Sequence, residues 1–375
     1  MAGIYIHIPF CKQACHYCDF HFSTNQQKKP QMVAALTDEL RLRKHEYSGS
    51  IDSIYFGGGT PSLLTENELH QILLAVASNF NVKNNAEITL EANPDDLNLD
   101  KLVYMRKMGI NRLSIGIQTF DDDRLKFINR AHSSQEARQS LEDARSAGFT
   151  NISADLIYAL PPNDLTYWKN DLDTLLGFEP EHISLYGLTI EEKTVFGKWA
   201  KKGRFYEVPE ETAASQYTMA MEKLQSKGYD HYEISNFGKP GFHSRHNSAY
   251  WDDQFYMGIG PGAHSYDGSS RAYNISNNTK YMESMSRNEL PRTVEMLSET
   301  DKANEYLFTH LRTRKGIDLN VFTDRFGKEL VNSNKSLLIE FQNQELLEFD
   351  EKILRLTSKG FMIADEITWR LFFDT

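Results

Sequence analysis

Apolar runs and amphipathic segments alternate along the first half of the chain. Six short runs rich in β-branched and aromatic residues predict strands, at Gly3–Ile8, Ser53–Phe56, Glu87–Glu91, Arg112–Ile117, Asn151–Leu156 and His182–Tyr186. Segments with helical periodicity lie between them, at Pro30–Glu46, Thr65–Phe80, Asp100–Met108, Ser134–Ala147 and Leu165–Leu176. Strands alternating with helices predict a parallel sheet. Six such units, where a closed barrel has eight, predict an α/β fold built on a partial, roughly three-quarter βα barrel.

The pattern changes towards the end of the chain. Small helices are predicted at Ser298–Arg312, Val321–Phe326 and Ser336–Phe341, and a short strand at Ile353–Leu356. We therefore predict two domains. The first is the barrel with an extension (residues 1–290, the extension at about 187–290), and the second is a small C-terminal domain (291–375).

Composition and charge narrow the class of protein. The 52 acidic residues outnumber the 41 basic ones, for a formal net charge of −11, which argues against a nucleic-acid partner. The first residues lack the basic region and apolar block of a signal peptide. The longest apolar run, Ile72–Ala77, is too short to span a bilayer. We expect a cytoplasmic protein with no transmembrane segment and no nucleic-acid partner.

All three cysteines lie within eight residues, as Cys11, Cys15 and Cys18 at C-x3-C-x2-C spacing. An electron-transfer 4Fe–4S cluster takes four cysteines, so three would leave one iron open to an outside ligand. The spacing is that of the radical S-adenosylmethionine superfamily. The alternatives are a zinc site completed by His16 or His7, or three idle thiols. A structural zinc site usually has a second knuckle, which this sequence lacks, and idle cysteines would be scattered.

Several polar residues and glycines fall where predicted strands end, which is where βα barrels gather their chemistry. They are Cys11, Gly57–Gly59, Glu91, Gln118 and Asp155. Singly, each could be a helix cap or a turn. Together they suit S-adenosylmethionine, because glycine backbone can approach its ammonium group and carboxylates can accept the ribose hydroxyls. Arg130 could bind the ligand carboxylate with its forked guanidinium, or could equally form a surface ion pair.

Four ordered motifs carry a family resemblance: Tyr5-Ile-His-Ile-Pro-Phe-Cys11, Gly57-Gly-Gly-Thr-Pro-Ser62, Gly116-Ile-Gln-Thr-Phe120 and Asp155-Leu-Ile-Tyr-Ala-Leu-Pro161. Over essentially the whole chain they resemble the oxygen-independent coproporphyrinogen III oxidase family, a branch of radical S-adenosylmethionine proteins with a partial barrel. The resemblance implies an S-adenosylmethionine pocket that includes Tyr5, Tyr17, Gly58, Thr60, Glu91, Gln118, Arg130 and Asp155. Ala159 departs from the family, which often has glycine there.

Two further departures and one motif indicate a subgroup. The cysteine pattern of the oxidases is similar to C-x3-C-x2-C-x-C, but this chain has Phe20 at the last position. The oxidases also carry a long N-terminal extension, whereas this chain begins directly at the first strand. The segment His246-Asn-Ser-Ala-Tyr-Trp251 resembles the mark of the family's heme chaperones. An imidazole can ligate heme iron, and Tyr250 and Trp251 offer flat faces to a macrocycle. Without the resemblance, a core histidine among aromatic neighbours would be the better interpretation.

The remaining motifs and the resemblance complete the functional hypothesis. Gly258–His264 is glycine-rich but lacks dinucleotide-binding context, so we predict a tight turn that places His264 near the site mouth. The C-terminal segment resembles the family's winged-helix-like domain, and the acidic balance favours a lid or docking role over DNA binding. We expect a heme chaperone that binds a 4Fe–4S cluster, S-adenosylmethionine and heme, and lacks coproporphyrinogen oxidase activity. Its partners would be acceptor hemoproteins, with respiratory ones among the candidates. The alternative is the oxidase reaction itself, the oxidative decarboxylation of coproporphyrinogen III.

Overall fold

The structure is a computed structural model that describes residues 1–374. These residues form fifteen strands: β1 (Ala2–Ile8), β2 (Ser50–Gly58), β3 (Asn81–Ala92), β4 (Arg112–Gln118), β5 (Ile152–Tyr158), β6 (His182–Gly187), β7 (Asp230–Glu233), β8 (Asn236–Gly238), β9 (Phe255–Ile259), β10 (His264–Tyr266), β11 (Ser270–Asn274), β12 (Arg292–Met296), β13 (Ile317–Asp318), β14 (Leu347–Phe349) and β15 (Ile353–Leu356).

The same residues form sixteen α-helices: α1 (Lys29–Leu42), α2 (Glu66–Asn79), α3 (Leu99–Lys107), α4 (Asp122–Phe127), α5 (Ser134–Ser146), α6 (Leu165–Gly177), α7 (Val195–Ala200), α8 (Glu210–Ser226), α9 (Arg245–Trp251), α10 (Asn278–Ser286), α11 (Glu299–His310), α12 (Leu319–Phe326), α13 (Leu330–Ser333), α14 (Lys335–Asn343), α15 (Ser358–Phe361) and α16 (Ala364–Arg370). Short 3-10 turns follow β2 and β3. None of the helices in this described part of the chain is long and apolar enough to cross a membrane.

Twelve strands form one large sheet in the order β12-β11-β10-β9-β1-β2-β3-β4-β5-β6-β8-β7. Strands β1 to β6 are parallel neighbours, as the alternation of strand and helix predicts. The sheet has two ends and does not close, which agrees with a partial barrel. The sequence did not predict that β9 extends the parallel set by pairing with β1. It also did not predict the antiparallel strands at both ends.

The predicted strands and helices form for identifiable reasons. Six of the seven residues of β1 are buried, and a strand covered on both faces shows a continuous apolar run instead of alternation. Helix α2 begins at a capping box in which the Thr65 and Glu68 side chains bond each other's backbone N–H. Inside the barrel, Gly3 pairs with Ser53 near the amino ends of their strands. The carboxyl ends therefore gather at the opposite end of the barrel.

The C-terminal part of the chain is a small unit of helices around the three-stranded sheet β13-β15-β14. Its connection to the barrel is partly through backbone. Ile234 N–H donates to the Arg312 carbonyl at 2.9 Å, and Arg314 N–H donates to the Tyr232 carbonyl at 3.1 Å. These bonds extend the large sheet beyond its β7 edge. At the other edge, β12 pairs with β11, so the large sheet continues as far as Met296.

Candidate functional site

A cavity of about 560 Å³ opens at the carboxyl ends of the parallel strands. It is the place where most of the residues predicted for the site meet. Of those residues, the cavity is lined by Cys11, Cys15, Tyr17, Cys18, Gly58, Thr60, Glu91, Gln118, Arg130 and Asp155. Tyr5 does not line the cavity; it stacks on Tyr55, one layer deeper in the barrel.

The cysteine loop leaves β1 and curves over this cavity. All three thiols are free and partly buried. The backbone fixes the loop, because Cys11 N–H donates to the Ser23 carbonyl at 3.1 Å and Cys18 N–H donates to the Cys15 carbonyl at 3.3 Å. Burial raises the pKa of Cys11 to about 11 and the pKa of Cys18 to about 12. Binding of iron must therefore displace protons from these thiols.

The two histidines named for a zinc alternative are engaged elsewhere. His7 bonds the His21 carbonyl through Nε2 at 2.8 Å and the Tyr5 hydroxyl through Nδ1 at 3.1 Å. His16 bonds the Phe127 carbonyl through Nδ1 at 2.9 Å, with its ring against Trp199. Among residues 1–374, no three His, Cys, Asp or Glu side chains are arranged to hold one metal ion. The thiols of a cubane each bind a different iron, so they need not converge on a single point.

Glu91 lies at the carboxyl end of β3 and is held on both oxygens. Its Oε1 accepts a hydrogen bond from the Tyr55 hydroxyl at 2.9 Å, and its Oε2 accepts one from Gly58 N–H at 3.2 Å. Burial raises the pKa of Glu91 to about 7, although both hydrogen bonds favour the ionised form. The carboxylate is therefore oriented before any ligand arrives, and it titrates near neutral pH.

Asp155 faces the same cavity from the centre of β5, and not from the strand end where the sequence predicts it. The Ser114 hydroxyl, on the neighbouring strand β4, lies 3.2 Å from each Asp155 carboxylate oxygen. Burial raises the pKa of this carboxyl, while hydrogen bonds from neighbouring serines and the charge of Arg112 oppose the rise. Glu91 and Asp155 give the cavity two acceptors on different strands, which suits a ligand with adjacent hydroxyl groups.

Arg130 reaches the cavity from the loop after α4. Its Nη2 donates to the Asn93 Oδ1 at 2.6 Å and to the Gly116 carbonyl at 2.8 Å. Its Nη1 lies 3.6 Å from the Cys15 sulfur, and its Nε is buried without a hydrogen-bond partner. The guanidinium is thus held beside the cysteine loop and is not a surface ion pair.

The backbone around the cavity is constrained at two predicted positions. Gly58 has φ +103°, and a Cβ there would lie 2.4 Å from the His7 ring, so only glycine fits. Gln118 ends β4 with φ 67°, a left-handed conformation that costs free energy in a non-glycine residue. Such strain often accompanies functional positions, which agrees with its place in the cavity wall.

The structure places the His246 motif, which the resemblance suggests for heme, away from this cavity. Helix α9 packs at the amino ends of β1 and β2, and His246 is 2% exposed. Its Nδ1 bonds the Ser53 hydroxyl and its Nε2 bonds the Tyr250 hydroxyl, both at 2.9 Å. Neither nitrogen is free to bind iron in this conformation. Trp251 ends the same helix and likewise does not line the cavity.

The glycine-rich segment forms the predicted turn but does not reach the cavity. Gly260 and Gly262 have positive φ, and the turn joins β9 to β10. His264 is exposed, with its ring 5.8 Å from that of Tyr273. His264 is not among the residues that line the cavity.

Sequence reasoning missed several residues of the cavity. They are Asn93, Ser114, Tyr186 and, at the mouth, Phe22 and Leu188. A signal was present for some of them: Ser114 and Tyr186 occupy inward-facing strand positions, and Asn93 comes two residues after Glu91. No sequence signal separates Phe22 and Leu188 from ordinary core residues.

These features define a class of protein. The structure combines an open parallel barrel, a C-x3-C-x2-C loop at its carboxyl end, and a cavity lined by Glu91, Asp155 and Arg130. These are the parts of a radical S-adenosylmethionine protein. The model of the Radical SAM superfamily matches residues 5–175, and the model of the HemN C-terminal domain matches residues 297–363. The superfamily implies a 4Fe–4S cluster and S-adenosylmethionine.

Curated relatives narrow the class further. The chain is 36% identical over 372 residues to the heme chaperone HemW of Bacillus subtilis (strain 168), with 98% of both chains covered. It is 35% identical to the heme chaperone HemW of Lactococcus lactis subsp. lactis (strain IL1403), covering 99% of this chain and 97% of that one. The chain therefore belongs to the HemW family.

A solved structure supports the fold. The coproporphyrinogen III oxidase HemN of Escherichia coli, described as a radical SAM enzyme, superimposes with a TM-score of 0.86 at 23% identity. The superposition covers 99% of this chain and 90% of that one. At this identity the likeness establishes a shared fold and nothing about the reaction.

Proposed function

We propose that this protein binds a 4Fe–4S cluster, S-adenosylmethionine and heme, and passes the heme to acceptor hemoproteins. One observation carries the proposal: the identity to heme chaperones extends over nearly the full length of both chains. The oxidase shares the fold at lower identity. This chain also has Phe20 at the position where the oxidase pattern has a further cysteine.

The residues of the cavity fit the two groups that the superfamily implies. Cys11, Cys15 and Cys18 would hold three irons of the cluster, whose open iron can bind the amino acid part of S-adenosylmethionine. Arg130 would hold the ligand carboxylate, since its charge lies beside Cys15. The Gly58 backbone would approach the ammonium group. Thr60, Gln118 and Tyr17 would complete the walls, with Tyr17 beside the adenine.

The ribose would lie between Glu91 and Asp155. Each carboxylate is already oriented by neighbours, Glu91 by Tyr55 and Asp155 by Ser114. Preorganised acceptors lose little freedom when a ligand binds, so more of the hydrogen-bond energy contributes to affinity. The protein's own part is to bind and orient the ligand. The hydrogen bonds to both carboxylates favour their ionised forms and oppose the effect of burial, which raises their pKa values.

Heme would bind at the apolar mouth of the same cavity and not on His246. Phe20 is 71% exposed and lines the mouth with Phe22 and Leu188. Contiguous exposed apolar side chains mark binding surfaces, and a macrocycle offers these three a flat apolar face. This position leaves the heme accessible for transfer to another protein.

The domain division also remains a proposal. Because β12 belongs to the large sheet, we place the boundary after Met296, six residues later than the division at 290 and 291 suggested by composition. The C-terminal unit would act in docking, since it lies along the β7 edge and α9, away from the cavity.

Three measurements on the same cluster-loaded preparation test the function. Heme titration should give a Soret band of bound heme, and mixing with apomyoglobin should transfer that heme. An anaerobic assay with coproporphyrinogen III, S-adenosylmethionine and a reductant should give no protoporphyrinogen IX. Robust turnover without heme uptake would assign the protein to the oxidase reaction instead.

A further inference from the structure

His246 is built into the interior of the barrel. A Cβ on Gly3 would lie 2.9 Å from the His246 Nδ1, so the glycine at the start of β1 makes the space for this ring. Ser53 and Tyr250 bond its two nitrogens. Burial, assisted by the charge of Arg112, lowers the pKa of His246 to about 3. The imidazole is therefore neutral, with one nitrogen donating and the other accepting.

The ring is one layer of an aromatic stack that rises through the barrel. His246 stacks on Tyr55 with ring centroids 5.0 Å apart and planes 24° apart. Tyr5 stacks beside both, at 6.1 Å from Tyr55 and 6.3 Å from His246. Flat neighbours on Tyr55 fix the plane of its ring and hence the direction of its hydroxyl group.

The Tyr55 hydroxyl donates to Glu91 Oε1 at 2.9 Å. The chain of contacts therefore runs from α9, at the amino end of the barrel, to a carboxylate of the cavity at the carboxyl end. Two hydrogen bonds fix the imidazole, two rings fix Tyr55, and Tyr55 fixes Glu91. Each link is a direct contact between buried or partly buried side chains.

We propose that His246 is a positioning residue for the S-adenosylmethionine pocket, acting through Tyr55 on Glu91, and is not a heme ligand. The inference rests on the proposed S-adenosylmethionine site. It gives the motif a role that the heme interpretation does not: the histidine supplies a neutral, flat, doubly anchored ring. Tyr250 contributes to the same positioning, because its hydroxyl, also on α9, bonds the imidazole.

Calorimetric titration of cluster-loaded protein with S-adenosylmethionine between pH 6 and 9 tests the proposal. In the wild type, affinity should fall as the pH drops through about 7, where Glu91 takes up a proton. In His246→Leu the Tyr55 ring loses its support, so Glu91 loses a hydrogen bond that favours its ionised form. The midpoint should then move to higher pH, and affinity at pH 7.5 should fall about tenfold. An unchanged midpoint in His246→Leu would overturn the proposal.

Two further variants keep the test decisive. Tyr55→Phe removes only the hydroxyl and should shift the midpoint in the same direction, even if His246→Leu folds poorly. His246→Phe keeps a flat ring against Tyr55 but loses the hydrogen bonds to Ser53 and Tyr250, so its midpoint should lie between those of the wild type and His246→Leu. A general loss of structure would lower affinity equally at every pH, and that result would also count against the positioning role.

Heme binding separates this inference from the proposed function. The Soret band of heme bound to His246→Leu should match that of the wild type. A shifted or missing band in the variant alone would overturn the inference and return His246 to the heme. If the wild type itself binds no heme, the chaperone function fails, while the pH dependence of S-adenosylmethionine affinity still decides the role of His246.

Discussion

The Arg130 guanidinium lies 3.6 Å from the sulfur of Cys15. This contact joins the cysteine loop to the proposed S-adenosylmethionine pocket. Asn93 and the Gly116 carbonyl hold the same guanidinium from below. The arginine is therefore fixed before a ligand binds, and its charge lies next to a thiol proposed to bind the cluster. A substitution of Arg130 therefore tests the proposed S-adenosylmethionine pocket most directly.

Arg130→Gln should weaken S-adenosylmethionine binding by about 1–3 kcal/mol, because a charge-assisted hydrogen bond to the ligand carboxylate is lost. Calorimetry on anaerobic, cluster-loaded protein measures the change. Arg204→Gln is the matched control, since Arg204 is exposed. Equal affinities for Arg130→Gln and the wild type would remove Arg130 from the pocket.

Changing Cys15 to Ala should abolish the cluster. Wild-type protein purified without oxygen should hold about four irons per chain if the three cysteines bind a cubane. Iron and zinc analysis, with the visible absorption of the cluster, provides the measurement. His16→Gln should retain the iron, because its ring is bonded to the Phe127 carbonyl. A zinc-containing wild type, or a Cys15→Ala protein with full iron content, would contradict the cluster assignment.

Asp155→Asn should leave iron content unchanged and reduce S-adenosylmethionine affinity by about 1–3 kcal/mol, since it removes a charged acceptor of a ribose hydroxyl. Asp100→Asn, at an exposed position in α3, serves as the control in the same titration. If Asp155→Asn binds the ligand as tightly as Asp100→Asn, the ribose does not lie between Glu91 and Asp155.

Glu233→Gln should stabilise the protein at alkaline pH. Glu233 is fully buried at the β7 edge, its Oε1 has no hydrogen-bond partner, and burial raises its pKa to about 7. Because the folded-state pKa lies above the unfolded one, the cost of ionisation develops as the pH rises towards 7 and is complete above it.

The expected gain for Glu233→Gln at pH 8 is at most about 3 kcal/mol, and it should shrink towards pH 5. Denaturant unfolding of cluster-loaded protein across this pH range provides the measurement. A gain that is the same at pH 5 and pH 8 would show that Glu233 is not the titrating group.

Ala159→Gly should stabilise the protein by up to about 1 kcal/mol. Ala159 has φ 61°, a left-handed conformation that glycine adopts without the strain of a Cβ. The entropy of glycine in the unfolded chain offsets part of this gain. Ala154→Gly, in the interior of β5, is the control and should destabilise. A lower midpoint of denaturation for Ala159→Gly would refute the strain argument.

The sequence predicts individual strands and helices better than it predicts which strands pair with each other. Buried parallel strands were visible because both faces are apolar, and α2 was visible from its capping box. The pairing of β9 with β1 was not, because it joins residues about 250 positions apart and no local pattern records it. The cavity residues at strand ends followed from the barrel rule.

The orientation of His246 could not be predicted for a related reason. An aromatic-rich motif is compatible with a ligand pocket and with core packing, and only the position of α9 decides between them. That position depends on Gly3 and Ser53, which lie far away in the sequence.

Helix α9 has a second set of neighbours on its outer side. Asp252 and Asp253 follow it directly and pair with Lys315 at 3.2 Å and Arg325 at 2.9 Å, both in the C-terminal unit. Helix α9 and the two aspartates after it thus connect the barrel with the C-terminal unit. A cut after Met296 would leave α9 with the barrel but expose the surfaces that α9, Asp252 and Asp253 share with the C-terminal unit, so we expect the intact chain to melt in one cooperative transition.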